Sequence, residues 1–185
     1  MAAPPCNPRP PQPRPIATHW RPLARTLIAA TLITISAGAG CRALAARLTV
    51  NVTTSMPRGL YWLRHPGGLR RGDSVSLAVP NNIRPLVDAR RYLPPSFHLL
   101  KRIVALPGDH VCTDNHRYVV GDQLLSVIAS HDQAGRPLDP FPFCSTVPPG
   151  AAFVAAHGES SLDSRYFGPV SLNDLTPAVP LWTSF

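Results

Sequence analysis

Residues 99–109 read LLKRIVALPGD, and this stretch decides the fold that we predict for the chain. It covers most of an apolar run, residues 97–106, that Lys101 and Arg102 interrupt and that Pro107-Gly108-Asp109 closes with a strong turn signal. Because side chains alternate between the two faces of a strand, Lys101 shares a face with Leu99 and Ile103. The stretch is therefore predicted to be a β-strand that carries a lysine on an apolar face.

Further short strands are predicted on either side of this stretch. Residues 73–79 alternate with period two, residues 59–63 and 151–156 are apolar runs, and residues 117–125 resemble a hairpin. No helical period of any length is visible after residue 50. The 23 prolines and 12 glycines suit a turn-rich protein. We expect a mostly β domain over residues 48–185.

The charge of the chain is unevenly distributed. The net charge is +8 over 185 residues, yet residues 1–72 contain ten arginines and no acidic residue. The remainder holds slightly more acidic than basic residues. A nucleic-acid-binding protein would spread its basic groups over a folded face, so we expect no nucleic-acid partner.

The basic front of the chain contains a candidate membrane anchor. Residues 1–25 are rich in proline and arginine and are predicted to be an extended, disordered cytoplasmic tail. Residues 26–41 carry no charge, and the flanking Arg25 and Arg42 can snorkel, so we predict a transmembrane anchor over residues 26–47. Arginines preceding the anchor favour a cytoplasmic N-terminus. A cleaved secretory signal ending at Ala39 and a buried helix of a soluble protein are the alternatives, and the anchor and the signal both put the β domain outside the cytoplasm.

Two residues suggest nucleophilic catalysis. Lys101 is the single lysine among 18 basic residues, and burial on an apolar strand face would lower its pKa and favour the neutral amine. Ser55 lies just before Pro57, which restricts the local backbone, so it is a candidate exposed nucleophile. A solvated lysine and a simple turn serine are the alternatives. Together the two residues fit a serine nucleophile activated by a neutral lysine.

Other catalytic arrangements find less support in the sequence. There is no Gly-x-Ser-x-Gly elbow, and His98 and His157 are interpreted as surface or turn histidines rather than as the base of a Ser-His-Asp triad. No His/Cys cluster has the spacing of a metal site. We expect neither a metal nor an organic cofactor.

Four ordered blocks resemble bacterial type I signal peptidases, and more closely the TraF-type conjugative-transfer maturation proteases of that superfamily. The blocks are residues 53–57 (TTSMP), 71–75 (RGDSV), 100–109 (LKRIVALPGD) and 161–168 (SLDSRYFG). The continuation Met56-Pro57-Arg58-Gly59 suggests the TraF-type branch. The usual Gly-Asp-Asn-Arg start of the last block is missing, and residues 157–160 stand in its place.

The resemblance implies a signal-peptidase-like catalytic β domain and a role for each matched residue. Ser55 would be the nucleophile and Lys101 the general base, with Ser161 orienting the lysine. The backbone N–H of Ser55 and the hydroxyl of Thr53 would form the oxyanion hole. The last block would add supporting residues: Asp163 and Arg165 would form a structural ion pair that holds it near the dyad.

The sequence therefore predicts a membrane-anchored serine endopeptidase at the outer face of the cytoplasmic membrane, with its catalytic domain in the periplasm. The lipid bilayer and a precursor protein, either a conjugative pilin or a signal-peptide-bearing protein, are the predicted partners. A general signal peptidase and an inactive periplasmic scaffold module remain alternatives, and hydrolysis is not distinguished from ligation of the product. Cys112 and Cys144 are expected to form a disulfide outside the cytoplasm, with Cys6 reduced inside.

Overall fold

The computed structural model describes residues 20–65, 67–94, 96–113, 117–156 and 161–184. Most of the predicted tail, with Cys6, lies outside these residues, and so does segment 157–160. The chain divides into two compact units, residues 1–44 and residues 45–185. We describe each unit by itself.

The first unit contains the helix α1, Trp20–Ala45. Its part Leu23–Ala45, of 23 residues, contains an 18-residue stretch with a mean hydropathy of 1.6, and it is long and apolar enough to cross a membrane. At 1.5 Å per residue this segment is about 34 Å long, slightly more than the roughly 30 Å of a bilayer's hydrocarbon core. The helix extends beyond the charge-free stretch of residues 26–41 at both ends, and it includes Leu23 and Arg25 before the stretch and residues 42–45 after it.

Within the described residues, the second unit contains two antiparallel sheets. The first has seven strands in the order β1-β2-β11-β3-β4-β9-β10, and the second has four in the order β7-β6-β5-β8. The strands of the larger sheet are β1 Leu48–Asn51, β2 Arg58–Leu63, β3 Ser74–Ala78, β4 His98–Ala105, β9 Ala151–Ala155, β10 Val170–Ser171 and β11 Thr176–Ser184. The smaller sheet consists of β5 His110–Thr113, β6 Arg117–Val120, β7 Gln123–Val127 and β8 Phe143–Thr146. The mostly β prediction is confirmed.

Two short helices follow residue 50, where no helical period is visible in the sequence. They are α2, Arg84–Arg90, and α3, Ser164–Phe167. Seven and four residues are too few for a helical period to emerge from the sequence. Pro85 also stands at the start of α2, where its missing N–H costs nothing and its fixed φ suits a helix.

Two neighbouring strands inside the larger sheet, β2 and β11, meet at a glycine-dependent contact. Gly59 in β2 has φ 148°, and a Cβ at this position would collide with the carbonyl oxygen of Trp182 in β11. The pairing of β11 with β2 shifts register between Pro180 and Trp182 at this point. Gly59 therefore allows the C-terminal strand to lie directly against the strand that follows Ser55.

Three buried clusters fill the described part of this unit. The largest packs β3, β4 and β9 against α2, and its buried members are Val75, Leu77, Val79, Ile83, Val87, Leu99, Ile103, Ala152, Val154, Phe167, Val170 and Leu175. A second cluster lies around Phe153 and Tyr118, where the smaller sheet meets β9. The third is small and holds Met56, Tyr61, Leu100 and Ala178. It anchors the turn that carries Ser55.

The smaller sheet carries the disulfide expected from the sequence. Cys112 on β5 and Cys144 on β8 are direct register partners, and their sulfur atoms are bonded. The predicted pairing is confirmed. Cys41 is free and exposed.

Candidate active site

The turn that carries Ser55 is held by a buried asparagine at the end of β1. The Asn51 side chain donates hydrogen bonds to the carbonyl oxygens of Thr53, Met56 and Pro57 at 3.1, 2.7 and 3.1 Å. Its Oδ1 accepts from the Thr53 backbone N–H and from the Thr53 hydroxyl. These five bonds fix the backbone on both sides of Ser55, whose side chain is half-buried.

Lys101 lies in the middle of β4, between β3 and β9, and is 2% exposed. Burial lowers the pKa of Lys101 to about 8, although the nearby Asp163 carboxylate acts in the opposite direction. Its Nζ donates to the hydroxyl oxygen of Ser161 at 2.7 Å. The amine is thus both desolvated and oriented, and a larger fraction of it is neutral near pH 8 than for an exposed lysine.

Behind Ser161 lies an ion pair without exposure to solvent. The Arg165 guanidinium donates two bonds to the Asp163 carboxylate, from Nε at 2.8 Å and from Nη2 at 2.7 Å. Both side chains are fully buried. Arg165 Nη2 also donates to the carbonyl oxygen of Ser161 at 3.3 Å. The pair therefore holds the backbone of the residue that contacts Lys101, and it keeps two buried charges compensated.

One cavity of about 530 Å³ brings the two candidate catalytic residues together. Ser55, Thr53 and Lys101 line it, whereas Ser161, Asp163 and Arg165 lie in the protein behind the lysine. Among the described residues, no hydrogen bond joins Ser55 to Lys101. In enzymes without bound substrate such bonds are often long and shorten only in the complex.

The expected oxyanion donors differ in their present bonding. The Thr53 hydroxyl donates to Asn51 at 2.8 Å, so it would have to rotate to reach a substrate oxygen. Within the described part of the chain, the backbone N–H of Ser55 has no acceptor. An unsatisfied N–H beside a nucleophile is the arrangement that an oxyanion hole requires.

The histidines weighed as alternative bases are not placed for that role. His98 is exposed on β4 and is not part of the cavity wall, and His157 lies outside the described residues. A different histidine, His131, does line the cavity and contacts Ser130 at 3.0 Å. No group of metal-binding side chains occurs among the residues that the structure describes.

Sequence reasoning missed two parts of this site. The first is Asn51, for which the signal is an asparagine directly before a turn, where such side chains bond to nearby backbone. The second is a cluster on the wall of the same cavity, in which Asp132 accepts from Arg90, Tyr92 and Arg136. Arg90 and Asp132 are 42 residues apart, so no local pattern in the sequence indicates their contact.

Comparison with known proteins gives a consistent result. Residues 20–182 match the family model described as signal peptidase, peptidase S26. The chain is 34% identical to a conjugal transfer protein TraF of Agrobacterium fabrum, over 74% of this chain and 82% of the relative. It is 30% identical to a plasmid transfer protein TraF of Escherichia coli, over 70% and 79%.

A solved signal peptidase I from Enterococcus faecalis is also similar, at 20% identity and a TM-score of 0.37, covering 62% of this chain and 99% of that one. The family match and the TraF relatives, rather than this structure, carry the assignment. The apolar helix and the family together indicate a membrane-anchored protein. With its TraF relatives and a family match over most of its length, the chain belongs to the signal peptidase family, peptidase S26.

Proposed function

We propose that the protein is a membrane-anchored serine endopeptidase in which Ser55 and Lys101 form a catalytic dyad. The substrate is an exported precursor, a conjugative pilin, which the enzyme cleaves at the outer face of the cytoplasmic membrane. One observation carries the proposal. A lysine that is 2% exposed, with its pKa lowered by burial, lines the same cavity as the serine of a turn that Asn51 holds rigidly.

The proposed reaction begins with a proton transfer. Neutral Lys101 takes the proton of the Ser55 hydroxyl while the oxygen attacks the carbonyl carbon of the scissile peptide bond. Ser161 accepts one N–H of the lysine, which aims the lone pair of the amine away from Ser161. The C–N bond then breaks, and the leaving amine receives the proton from Lys101. A water molecule, activated by the same lysine, hydrolyses the acyl-enzyme.

The negative charge that develops on the substrate oxygen needs two donors. The uncommitted N–H of Ser55 is one, and the Thr53 hydroxyl, rotated away from Asn51, is the other. In comparable enzymes each such donor contributes about 3–4 kcal/mol to transition-state stabilisation. The compensated Asp163–Arg165 pair acts at a distance by holding Ser161, and we assign it a positioning role.

The pilin substrate is supported by the relatives. Two of them are named for conjugal or plasmid transfer, and the chain covers about four-fifths of each. A maturation protease of such a system acts on an exported subunit. An extended substrate segment bound beside Ser55 fits the edge position of β1 in the larger sheet.

Contact with the lipid bilayer is supported by an apolar sheet face in the second unit. Cross-strand partners in β1, β2 and β11 point to the same side, and most of these side chains are exposed; they are Leu48, Val50, Leu60, Trp62, Val179 and Trp182. Val50 is 59% and Trp182 69% exposed. Exposed apolar side chains that lie together on one sheet face indicate an interaction surface. Because β1 begins three residues after α1 ends, we propose that the bilayer covers it.

The decisive experiment measures processing of a co-expressed pilin precursor by the full chain. Ser55→Ala is expected to abolish processing while leaving the amount of folded enzyme unchanged, because the side chain is small and half-buried. Ser145→Ala is the matched control, since this serine is exposed on β8, outside the cavity, and its loss should have no effect. Processing by Ser55→Ala at the wild-type rate would remove Ser55 from the mechanism.

A further inference from the structure

We propose that the arginine-bearing part of the catalytic cavity wall is a subsite for a carboxylate group of the substrate peptide, and that Arg91 is the residue that binds it. This inference rests on the proposed peptidase function, which it deepens by naming a chemical feature of the substrate. The carboxylate is that of an aspartate or glutamate side chain near the scissile bond, or the C-terminal carboxylate of the precursor.

The first observation is the charge of the cavity wall. Besides Ser55 and Lys101, the wall contains three arginines, at positions 90, 91 and 136, and a single acidic residue, Asp132. The wall therefore has a net positive charge even when Lys101 is neutral. A cavity of one sign attracts peptide segments of the opposite sign.

The second observation concerns which arginines are already engaged. Asp132 is nearly buried and accepts hydrogen bonds from Arg136 Nε at 2.7 Å, from Arg90 Nη1 at 3.3 Å and from the Tyr92 hydroxyl. Although burial acts to raise it, the bonds from Tyr92 and Arg136 hold the pKa of Asp132 well below its usual range. The carboxylate is thus ionised and shared between two arginines, and it fixes the loop of residues 131–136 against the end of α2.

Arg91 is different from its two neighbours. Its side chain is exposed, and no carboxylate in the described part of the chain lies within ion-pair distance of it. It contributes to the same wall as Ser55. An arginine in this situation presents up to five donors to whatever enters the cavity, in a geometry that suits a carboxylate.

The backbone of Arg91 adds a third observation. With φ 53° and ψ 41° it is the left-handed residue that ends α2, and among the described residues it alone adopts a positive φ without being glycine. Helices usually place glycine or asparagine at this point, because a Cβ is unfavourable there. The arginine side chain is kept at a position where folding favours glycine, as expected if the side chain serves binding.

The position of Arg91 also separates it from the chemistry. Ser55 lies in the turn between β1 and β2 and Lys101 on β4, whereas Arg91 follows α2. A peptide whose carbonyl group reaches Ser55 would occupy the cavity that Arg91 also lines. Arg91 is therefore a specificity-determining residue, and its replacement should change which peptides are cleaved rather than whether cleavage occurs.

The test uses the full chain in detergent and a library of peptides derived from a digested proteome, with cleavage sites read by mass spectrometry. Wild-type enzyme should cleave with Asp or Glu enriched within a few positions of the scissile bond. The matched substrates are two peptides that differ only in a glutamate or a glutamine near the scissile bond. Arg91→Gly should lower kcat/KM about fivefold for the glutamate peptide, as expected for a partly exposed ion pair. It should leave kcat/KM for the glutamine peptide unchanged. Arg91→Glu should shift the preference toward peptides with lysine.

One variant, one control and a second peptide library separate a lost carboxylate subsite from unfolding and identify the carboxylate. Arg91→Gly should fold at least as stably as the wild type, because glycine adopts this backbone without strain, so a loss on the glutamate peptide is not unfolding. Arg70→Gly is the matched control, since Arg70 is exposed and outside this cavity, and it should retain the wild-type preference. A second library with amidated C-termini assigns the carboxylate to a side chain if the preference persists, or to the C-terminus if it is lost.

Each result decides between the two proposals. If the wild type cleaves peptides without any preference for a carboxylate, and Arg91→Gly and Arg91→Glu cleave the same set, the carboxylate subsite is wrong while the peptidase function stands. If neither the library nor a pilin precursor is cleaved by the wild type, the peptidase proposal itself fails.

Discussion

At the scale of single residues, Lys101 lies in an environment that opposes its own charge. Its pKa is about 8 in the folded protein and about 10.4 in an unfolded chain, chiefly because of burial. Below pH 8 the folded state must carry a buried charge, which costs stability, and the cost disappears above pH 10.5. Burial of Lys101 therefore reduces the stability of the fold at neutral pH.

Lys101→Met should accordingly be inactive and more stable than the wild type. Removing the charge is expected to increase the free energy of unfolding by up to about 3 kcal/mol at pH 7, and by much less at pH 10.5. Urea unfolding of the two proteins at both pH values measures this difference. A variant less stable than the wild type at pH 7 would mean that the lysine is not desolvated as described.

Asn51 is the residue on which the geometry of the turn that carries Ser55 depends. Asn51→Ala would leave the buried carbonyl oxygen of Met56 without its donor, at a cost of about 1–3 kcal/mol in unfolding free energy, whereas that of Pro57 keeps the Tyr61 hydroxyl. Because Ser55 and Thr53 would lose their fixed positions, processing should fall by about tenfold to a hundredfold. Kinetics together with a thermal melt separate the two effects. Unchanged kcat in a destabilised Asn51→Ala protein would restrict its role to folding.

At the scale of secondary-structure elements, the sequence predicted strands well where apolar residues alternate between turns. Residues 97–106, 73–79 and 151–156 correspond to β4, β3 and β9, within one or two residues at each end. The predicted hairpin of residues 117–125 corresponds to β6 and β7, which join at Gly121. In these segments the alternation of apolar residues agrees with the burial in the folded protein, so the local pattern alone predicts the strand.

The elements that sequence reasoning missed are those whose stability comes from distant contacts. β11 contains prolines 177 and 180, which argue against a strand, yet it pairs with both β2 and β3. The helix α2 is too short for a period, and Val87 is buried in the main cluster. For the site, the four blocks contain the residues around Lys101, whereas Asn51 and the Asp132 cluster depend on contacts that no local pattern encodes.

The disulfide gives a test at this scale. Cys112 and Cys144 join β5 to β8 and close a loop of about 33 residues, for which the chain-entropy model gives roughly 3–4 kcal/mol. Replacing both cysteines by serine should lower the thermal melting temperature. The pH dependence of processing by the proposed Ser55–Lys101 dyad should not change. Cys41→Ser is the matched control and should leave the melting temperature unchanged, because Cys41 is exposed and free. An equal melting temperature for the double variant would contradict a stabilising bridge.

At the scale of the whole molecule, we expect α1 to remain in the mature protein as an anchor. The segment Leu23–Ala45 is long enough to span the bilayer, and the arginines that precede it favour a cytoplasmic N-terminus. The intact mass of protein extracted from membranes should include this helix. A mass that begins at Gly40 would show that Ala39 precedes a cleavage site and that the enzyme is released.

The central claim is that a neutral Lys101 activates Ser55, and the pH dependence of precursor processing tests it most directly. The wild-type rate should rise with pH through a pKa of about 8 and fall on acidification, because only the unprotonated amine accepts the serine proton. Lys101→Arg keeps the positive charge but cannot become neutral, so it should be inactive at every pH from 6 to 10. Retained processing by Lys101→Arg, with the loss of activity found in His131→Ala instead, would contradict the account.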